Sequence, residues 1–328
     1  MKIFSQADNK IARRIAGLAA KYYLGKPDVS ELLQIKTPTI SSVINAAINE
    51  LFFRLGLEHG YKLTTVNIEI TNHCNIKCKM CPVSGKMQRQ KGFMSFSLFK
   101  KIIDENPQIE FILPFQWGEP LLHKDIFEMV KYAALKGIRV MLTSNGTLLN
   151  AEICNKIIDS GLLRITFSVD GVGDTYTRIR GVEYSALKNN ILLLKKIRDE
   201  RKSSLKIDIS MVVFEDTEQQ VERLFSEWKP LVDRVQVIPV FTQIERKTKC
   251  RELWRGIVVV LWDGRVTVCC ADYDGSMIYG DANEERLIDI WNGQQMRKLR
   301  REHRQGKFSG ACKNCGEYES SKVSKRFQ

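Results

Sequence analysis

Between residues 63 and 245 six strand-like runs alternate with helical stretches, and that alternation restricts the fold more than any other feature of the chain. The runs cover 65–70, 110–115, 139–143, 164–169, 206–213 and 234–240, with helical stretches such as 126–136 and 218–231 between them. Strands joined through helices build a parallel sheet, and binding residues then gather beyond the carboxyl ends of the strands. The expected fold is α/β. With 328 residues the chain also has room for a helical extension over 1–62 and a small α+β domain over 246–328.

The extension reads as two helices. In the first, Ile11, Ile15, Leu18, Ala19 and Tyr22 recur at helical spacing beside Lys10, Arg13, Arg14 and Lys21. In the second, Val43, Ile44, Ala47, Ile48, Leu51, Phe52 and Leu55 share one broad face. Basic amphipathic helices of this kind either pack on the main domain or lie on a membrane surface; packing is the expectation. No run approaches the roughly 20 apolar residues of a membrane span, and none follows Met1–Gln6 as a signal peptide would require. Nine cysteines without export suit metal ligation in a reducing compartment, so the expected location is cytoplasmic, with peripheral membrane contact as a variant. Lys and Arg number 51 against 38 Asp and Glu, a formal charge of +13. That excess fits an acidic partner or a solvated basic face, and no aromatic-interleaved motif points to nucleic acid.

The run Thr71-Asn72-His73-Cys74-Asn75-Ile76-Lys77-Cys78-Lys79-Met80-Cys81-Pro82 follows the first strand. Its C-x3-C-x2-C spacing offers three thiolates and no nearby fourth. Four-iron clusters normally take four cysteines, so three would leave one iron open; a zinc site or unliganded thiols are the alternatives. The run resembles the signature of the radical S-adenosylmethionine (SAM) superfamily. The resemblance implies a partial (β/α)6 barrel and a 4Fe-4S cluster on Cys74, Cys78 and Cys81. Its open iron would chelate the amino and carboxylate groups of SAM. Reductive cleavage would then yield a 5′-deoxyadenosyl radical that removes hydrogen from a substrate C–H bond.

Polar motifs at the next strand ends extend the resemblance. Gln116-Trp117-Gly118-Glu119-Pro120 is similar to the family's Gly-Gly-Glu-Pro segment, with Trp117 in place of the first glycine. The resemblance assigns Gly118 and Glu119 to the SAM amino group, Ser144 and Asn145 to the ribose, and Ser168 and Arg180 to the carboxylate. A guanidinium suits the last role because its donors form a planar fork.

Downstream, Cys250 and Cys269 are followed by Cys312-Lys313-Asn314-Cys315, with Gly264 between the first two. The pattern resembles the SPASM/twitch region of the same superfamily, which implies an auxiliary 4Fe-4S cluster on Cys250, Cys269, Cys312 and Cys315. Tetrahedral zinc on the same four thiolates is the alternative. Cys154 reads as a buried apolar residue, His73 as a structural histidine, and Cys270 has no assigned role. Nothing resembles a Ser-His-Asp arrangement, a P-loop or a nicotinamide fingerprint. The function expected is net oxidation of a small anionic, sugar-like or lipid-linked metabolite, with a flavodoxin or ferredoxin as electron donor. Peptide maturation and a non-catalytic metal-binding protein are the alternatives.

Overall fold

The computed structural model describes residues 40–239 and 245–315. The expected helix over 11–22 lies outside them, as does Val240 at the end of the sixth expected strand. The first described helix, α1 (Ile40–Leu55), leads into six β/α steps. These are β1 (Thr65–Ile68), α2 (Phe96–Glu105), β2 (Phe111–Leu113), α3 (Ile126–Leu135), β3 (Arg139–Ser144) and α4 (Ala151–Asp159). They continue through β4 (Arg164–Ser168), α5 (Asp174–Arg180), α6 (Tyr184–Glu200), β5 (Lys206–Val213), α7 (Val221–Trp228) and β6 (Arg234–Pro239). Local signals set the helix starts: Ser95 accepts a hydrogen bond from the Leu98 N–H, and Asn150 caps α4 through the Ile153 N–H.

β1 to β6 are all parallel, as the alternation predicts, and form a partial barrel. Alternate residues of the strands face opposite ways. Val66, Ile68, Val140, Leu142, Ile165 and Phe167 are buried in the core that also holds Phe99 of α2, Met129 of α3 and Ile191 of α6. On the other face Asn67, Thr143, Thr166 and Ser168 stay half-buried. Register aligns Thr143 with Thr166 and Asp208, and Ser168 with Ser210 and Gln236. The concave side of the barrel is therefore lined by hydroxyl, amide and carboxylate residues.

After α8 (Glu252–Arg255) the chain re-enters the same sheet. β7 (Ile257–Val260) pairs with β1 in parallel, and β8 (Arg265–Thr267) and β9 (Ile278–Asp281) follow antiparallel. The order is β6-β5-β4-β3-β2-β1-β7-β8-β9 without a break. Gly264, at φ +97°, makes the turn from β7 to β8; a side chain there would collide with Asn283. α9 (Leu287–Trp291) and α10 (Gln294–Arg304) close the C-terminal part. Trp254 and Trp291 are fully buried, and the Trp254 indole N–H donates to the Leu57 carbonyl at 2.7 Å.

α1 packs on this C-terminal part, but by the side the sequence did not favour. Ser42, Asn45, Asn49 and Glu50 are buried, whereas Ile44, Leu51 and Leu55 are 47%, 44% and 63% exposed. Hydrogen bonds decide the orientation. Asn45 donates to the Thr64 hydroxyl at 3.0 Å, and Asn49 accepts from the Tyr61 N–H at 2.7 Å while donating to the Lys62 carbonyl. The Asn49 contacts satisfy backbone groups of the segment entering β1, which burial would otherwise leave unpaired, and Asn45 pairs with a side-chain hydroxyl of the same segment. The broad apolar face expected to be buried is thus partly turned outward.

Candidate functional site at the mouth of the barrel

The cysteine loop is braced from beneath. Asn72, fully buried, donates to the Gln90 carbonyl and accepts from the Gly92 N–H, both at 2.9 Å. Thr71 donates to the Gly92 carbonyl at 2.8 Å, and His73 stacks on Phe93 with ring centroids 4.6 Å apart, consistent with a structural histidine. Lys79 N–H bonds the Ile179 carbonyl at 3.1 Å, fastening the loop to α5. Burial raises the pKa of all three thiols, Cys78 to about 11, while Arg180 opposes the rise. Coordination by a cationic cluster would deprotonate such thiols outright.

Gly118 lies against this loop. Its φ is +96°, and a Cβ there would sit 2.7 Å from the carbonyl oxygens of both Thr71 and His73. The next residue's N–H donates to the same His73 carbonyl at 2.7 Å. Glycine is thus required by close approach as well as by backbone conformation. Gly118→Ala is expected to displace the cysteine loop and weaken SAM binding about tenfold or more, roughly 1.4 kcal/mol, checked by anaerobic calorimetric titration of the reconstituted protein.

Glu119 is the hub of the site. Its carboxylate, 1% exposed, accepts from the Ser144 hydroxyl at 2.8 Å, the Asn145 N–H at 2.7 Å and the Leu121 N–H at 3.1 Å. Burial pushes its pKa up to about 7, against the pull of those hydrogen bonds and of Arg180. Asn145 also donates to Asn75 Oδ1 at 2.9 Å and approaches Cys74 Sγ at 3.9 Å. Glu119, Ser144, Asn145 and the first cysteine therefore form one connected group. Arg180, at the end of α5, points its Nε to Asp170 Oδ2 at 2.8 Å and its Nη1 to Cys78 Sγ at 3.7 Å. Burial pulls the Arg180 pKa down, but Asp170 and the Cys78 thiol outweigh it and hold it above the usual range. Asp170 is fully buried and its other oxygen accepts from the Val212 N–H at 2.8 Å. Ser168, half-buried at the end of β4, stands two residues before it.

The C-terminal thiols form a second group. Cys312 is buried, and Cys250, Cys269 and Cys315 are half-buried. Burial raises Cys312 to about 12, with Cys250 and Cys315 adding to the rise, and Cys269 likewise senses Cys312 and Cys250. Arg246, 7% exposed, donates from Nη2 to Cys315 Sγ at 2.9 Å. His303 accepts the Cys250 N–H at 3.2 Å, and burial followed by the charge of Arg246 lowers its pKa to about 4. Among the described residues, Arg246 Nε and His303 Nε2 are buried without a hydrogen-bond partner. No three His, Cys, Asp or Glu side chains among them gather tightly enough for a single metal ion. The fit to a cluster rests on donor chemistry: thiols for irons, and orphaned nitrogen positions beside them that inorganic sulfides would satisfy. Cys154 is fully buried in the core, as expected. Cys270 is exposed as a whole residue, and burial of its thiol raises its pKa. Gln116 accepts from Asn67 of β1 at 2.9 Å.

A clamp joins the two groups. Arg89 donates to both oxygens of fully buried Glu69, at the end of β1, and from Nε to the Tyr273 carbonyl at 2.6 Å. Gln88 N–H bonds Asp274 at 2.7 Å, and the Trp262 indole N–H bonds the Gln90 carbonyl at 3.1 Å. The segment between the cysteine loop and α2 is therefore sewn to the C-terminal part. Asp170, Glu69, Arg89 and Arg246 escaped the sequence reading because each acts through a partner ten or more residues away.

The radical SAM superfamily profile matches residues 68–227, and that of an iron–sulfur cluster-binding domain, SPASM, matches residues 250–316. The chain belongs to the radical SAM superfamily and carries a C-terminal SPASM domain; SAM, a 4Fe-4S cluster and auxiliary iron–sulfur ligation come with that membership. It is 29% identical over 159 residues to the AdoMet-dependent heme synthase of Nitratidesulfovibrio vulgaris, covering 48% of this chain and 42% of that protein. The chain thus matches less than half the length of that relative. It is 24% identical over 258 residues to the S-adenosyl-L-methionine-dependent 2-deoxy-scyllo-inosamine dehydrogenase of Niallia circulans, covering 76% of this chain and 91% of the dehydrogenase. Its fold resembles Streptococcus suis SuiB bound to precursor peptide SuiA, with a TM-score of 0.60 at 13% identity over 87% of this chain and 79% of SuiB.

Proposed function

We propose that this chain is a SAM-dependent enzyme that oxidises a small, polar, sugar-like metabolite at an unactivated C–H bond. The edge-on packing of Trp117 against Tyr273, ring centroids 6.3 Å apart, carries the reading, because it sets the loop that follows Cys269 beside the mouth of the barrel. When bound there, SAM and the cluster on Cys74, Cys78 and Cys81 supply hydrogen abstraction, and an auxiliary cluster on Cys250, Cys269, Cys312 and Cys315 supplies an electron acceptor. Glu119, balanced near neutrality, gains its charge when an ammonium arrives beside it, and Ser144 and Asn145 fix its direction. Gly118 lets the backbone close on the cysteine loop, while Arg180, steadied by Asp170, presents positive charge toward Cys78 and a carboxylate. Ser168 adds a hydroxyl at the same strand end. The concave face, with Thr143, Thr166, Ser168 and Gln236, suits a substrate rich in hydroxyl or amine groups. A flavodoxin or ferredoxin is the proposed electron donor.

The test is anaerobic incubation with SAM, a low-potential reductant and 2-deoxy-scyllo-inosamine or related aminocyclitols. The expected outcome is 5′-deoxyadenosine formed in step with a product two hydrogens lighter. SAM cleavage that no polyol or aminocyclitol accelerates, but that a peptide does, would move the reading to peptide maturation.

A lipid-linked substrate is a second reading, favoured by the outward Ile44, Leu51 and Leu55 stripe with exposed Arg54 beside it. No helix among the described residues is long and apolar enough to cross a membrane. Flotation with anionic vesicles at low salt is expected to recover the protein, and Leu51→Glu with Leu55→Glu to abolish that recovery; failure of the unaltered chain to float removes this reading.

A further inference from the structure

Arg246 is placed unlike any other cation among the described residues: it sits inside the C-terminal thiol group. Its backbone N–H bonds the Lys313 carbonyl at 2.9 Å, between Cys312 and Cys315, and its Nη1 bonds the Thr248 carbonyl at 3.2 Å. Its Nη2 reaches Cys315 Sγ at 2.9 Å, and its Nε is buried without a partner among the described residues. No carboxylate within that set of contacts neutralises it. Its burial is tolerable only opposite negative charge, because an isolated buried cation is costly. Thiolates provide that charge, and Nε, without a partner among the described residues, would gain an acceptor once something with electron pairs stands beside the thiols.

We propose that Arg246 sets the reduction potential of the auxiliary cluster, holding it high enough to take the one electron left on the substrate radical after hydrogen abstraction. The inference rests on the four-thiol cluster reading above. A four-iron cluster on four thiolates is anionic, and its negative charge grows by one on reduction. A fixed guanidinium hydrogen-bonded to a ligand sulfur stabilises the more negative state most, and both charge and hydrogen bonds to sulfur tune such potentials. Arg246 is a positioning residue, since it acts through Cys315 and touches no substrate.

The measurement is an EPR-monitored redox titration of full-length protein in which Cys74, Cys78 and Cys81 are changed to Ala, so that the auxiliary cluster alone contributes. The background is expected to retain about four irons per chain. Arg246→Gln is expected to keep that iron and lower the midpoint by at least a tenfold change in the reduction equilibrium, about 59 mV for one electron. Arg246→Lys, which keeps the charge and loses the fork, is expected to shift less. An unchanged midpoint with iron retained overturns the inference, as does loss of iron in both variants, which would make Arg246 structural. If only the Gln variant fails to assemble, the Lys variant decides: a lowered midpoint supports the proposal and an unchanged one overturns it. Zinc, or no metal, in the background overturns the cluster reading itself and this inference with it.

Discussion

Changing Cys74, Cys78 and Cys81 together to Ala is expected to abolish SAM cleavage, a loss of at least a thousandfold, while leaving the fold and the C-terminal metal content intact. The three thiols touch little that holds the protein together. The loop is braced by Asn72, Thr71 and the Lys79 N–H, none of which the substitutions alter. Ala at the three positions removes ligands and a modest buried volume, far less than the core supplies. Iron and sulfide analysis, circular dichroism and 5′-deoxyadenosine formation check the expectation together. Retained SAM cleavage would show that the electron enters elsewhere. Loss of all iron together with secondary structure would show that the loop cluster is a folding element.

Arg89→Ala is expected to destabilise the protein by about 3–5 kcal/mol, the range for breaking a buried ion pair from one side. Glu69 would then be left fully buried without its counter-charge, and the bond to the Tyr273 carbonyl would be lost as well. Both partners lie out of solvent, with side chains 4% and 0% exposed, so screening does little to soften the loss. Replacing the pair by Arg89→Met and Glu69→Leu is expected to recover part of that stability, because it removes the stranded charge. Anaerobic thermal unfolding of the metal-loaded proteins measures both. The single variant is also expected to uncouple SAM cleavage from product formation, since the segment it anchors spans from the cysteine loop to the SPASM domain. An Arg89→Ala protein as stable as the unaltered chain would mean that water replaces the clamp.

The strand positions and the three-cysteine loop were legible because both are local signals: alternating runs with helices between them, and a fixed spacing of thiols. All six expected strands form within one or two residues of their expected bounds, since burial on one face and turns at each end fix a strand over a few residues. Glu119, Ser144 and Asn145 were recognisable as candidates, but not the bonds that join them to one another. Ser144 and Asn145 both donate to Glu119 across a separation of 25 and 26 residues, a pairing that only the fold reveals. α1 shows where periodicity alone fails. Its apolar repeat is genuine, yet Asn45 and Asn49 turn inward because the segment before β1 offers them the Thr64 hydroxyl, the Lys62 carbonyl and the Tyr61 N–H. Pairs such as Asp170 with Val212, or Arg246 with Cys315, depend on chain crossings that no single window contains.

The parallel pairing of β7 with β1 has a consequence for access. Four residues of each strand are in register, and the Glu69 N–H extends the ladder to the Val260 carbonyl at 2.8 Å. A sheet so joined has no hinge at this boundary: swinging the C-terminal part away would break a row of backbone bonds in the middle of the molecule. The traffic of a substrate in and a product out must then be managed by rim loops. With β1 and β7 in register, the two thiol groups are tied to one continuous sheet.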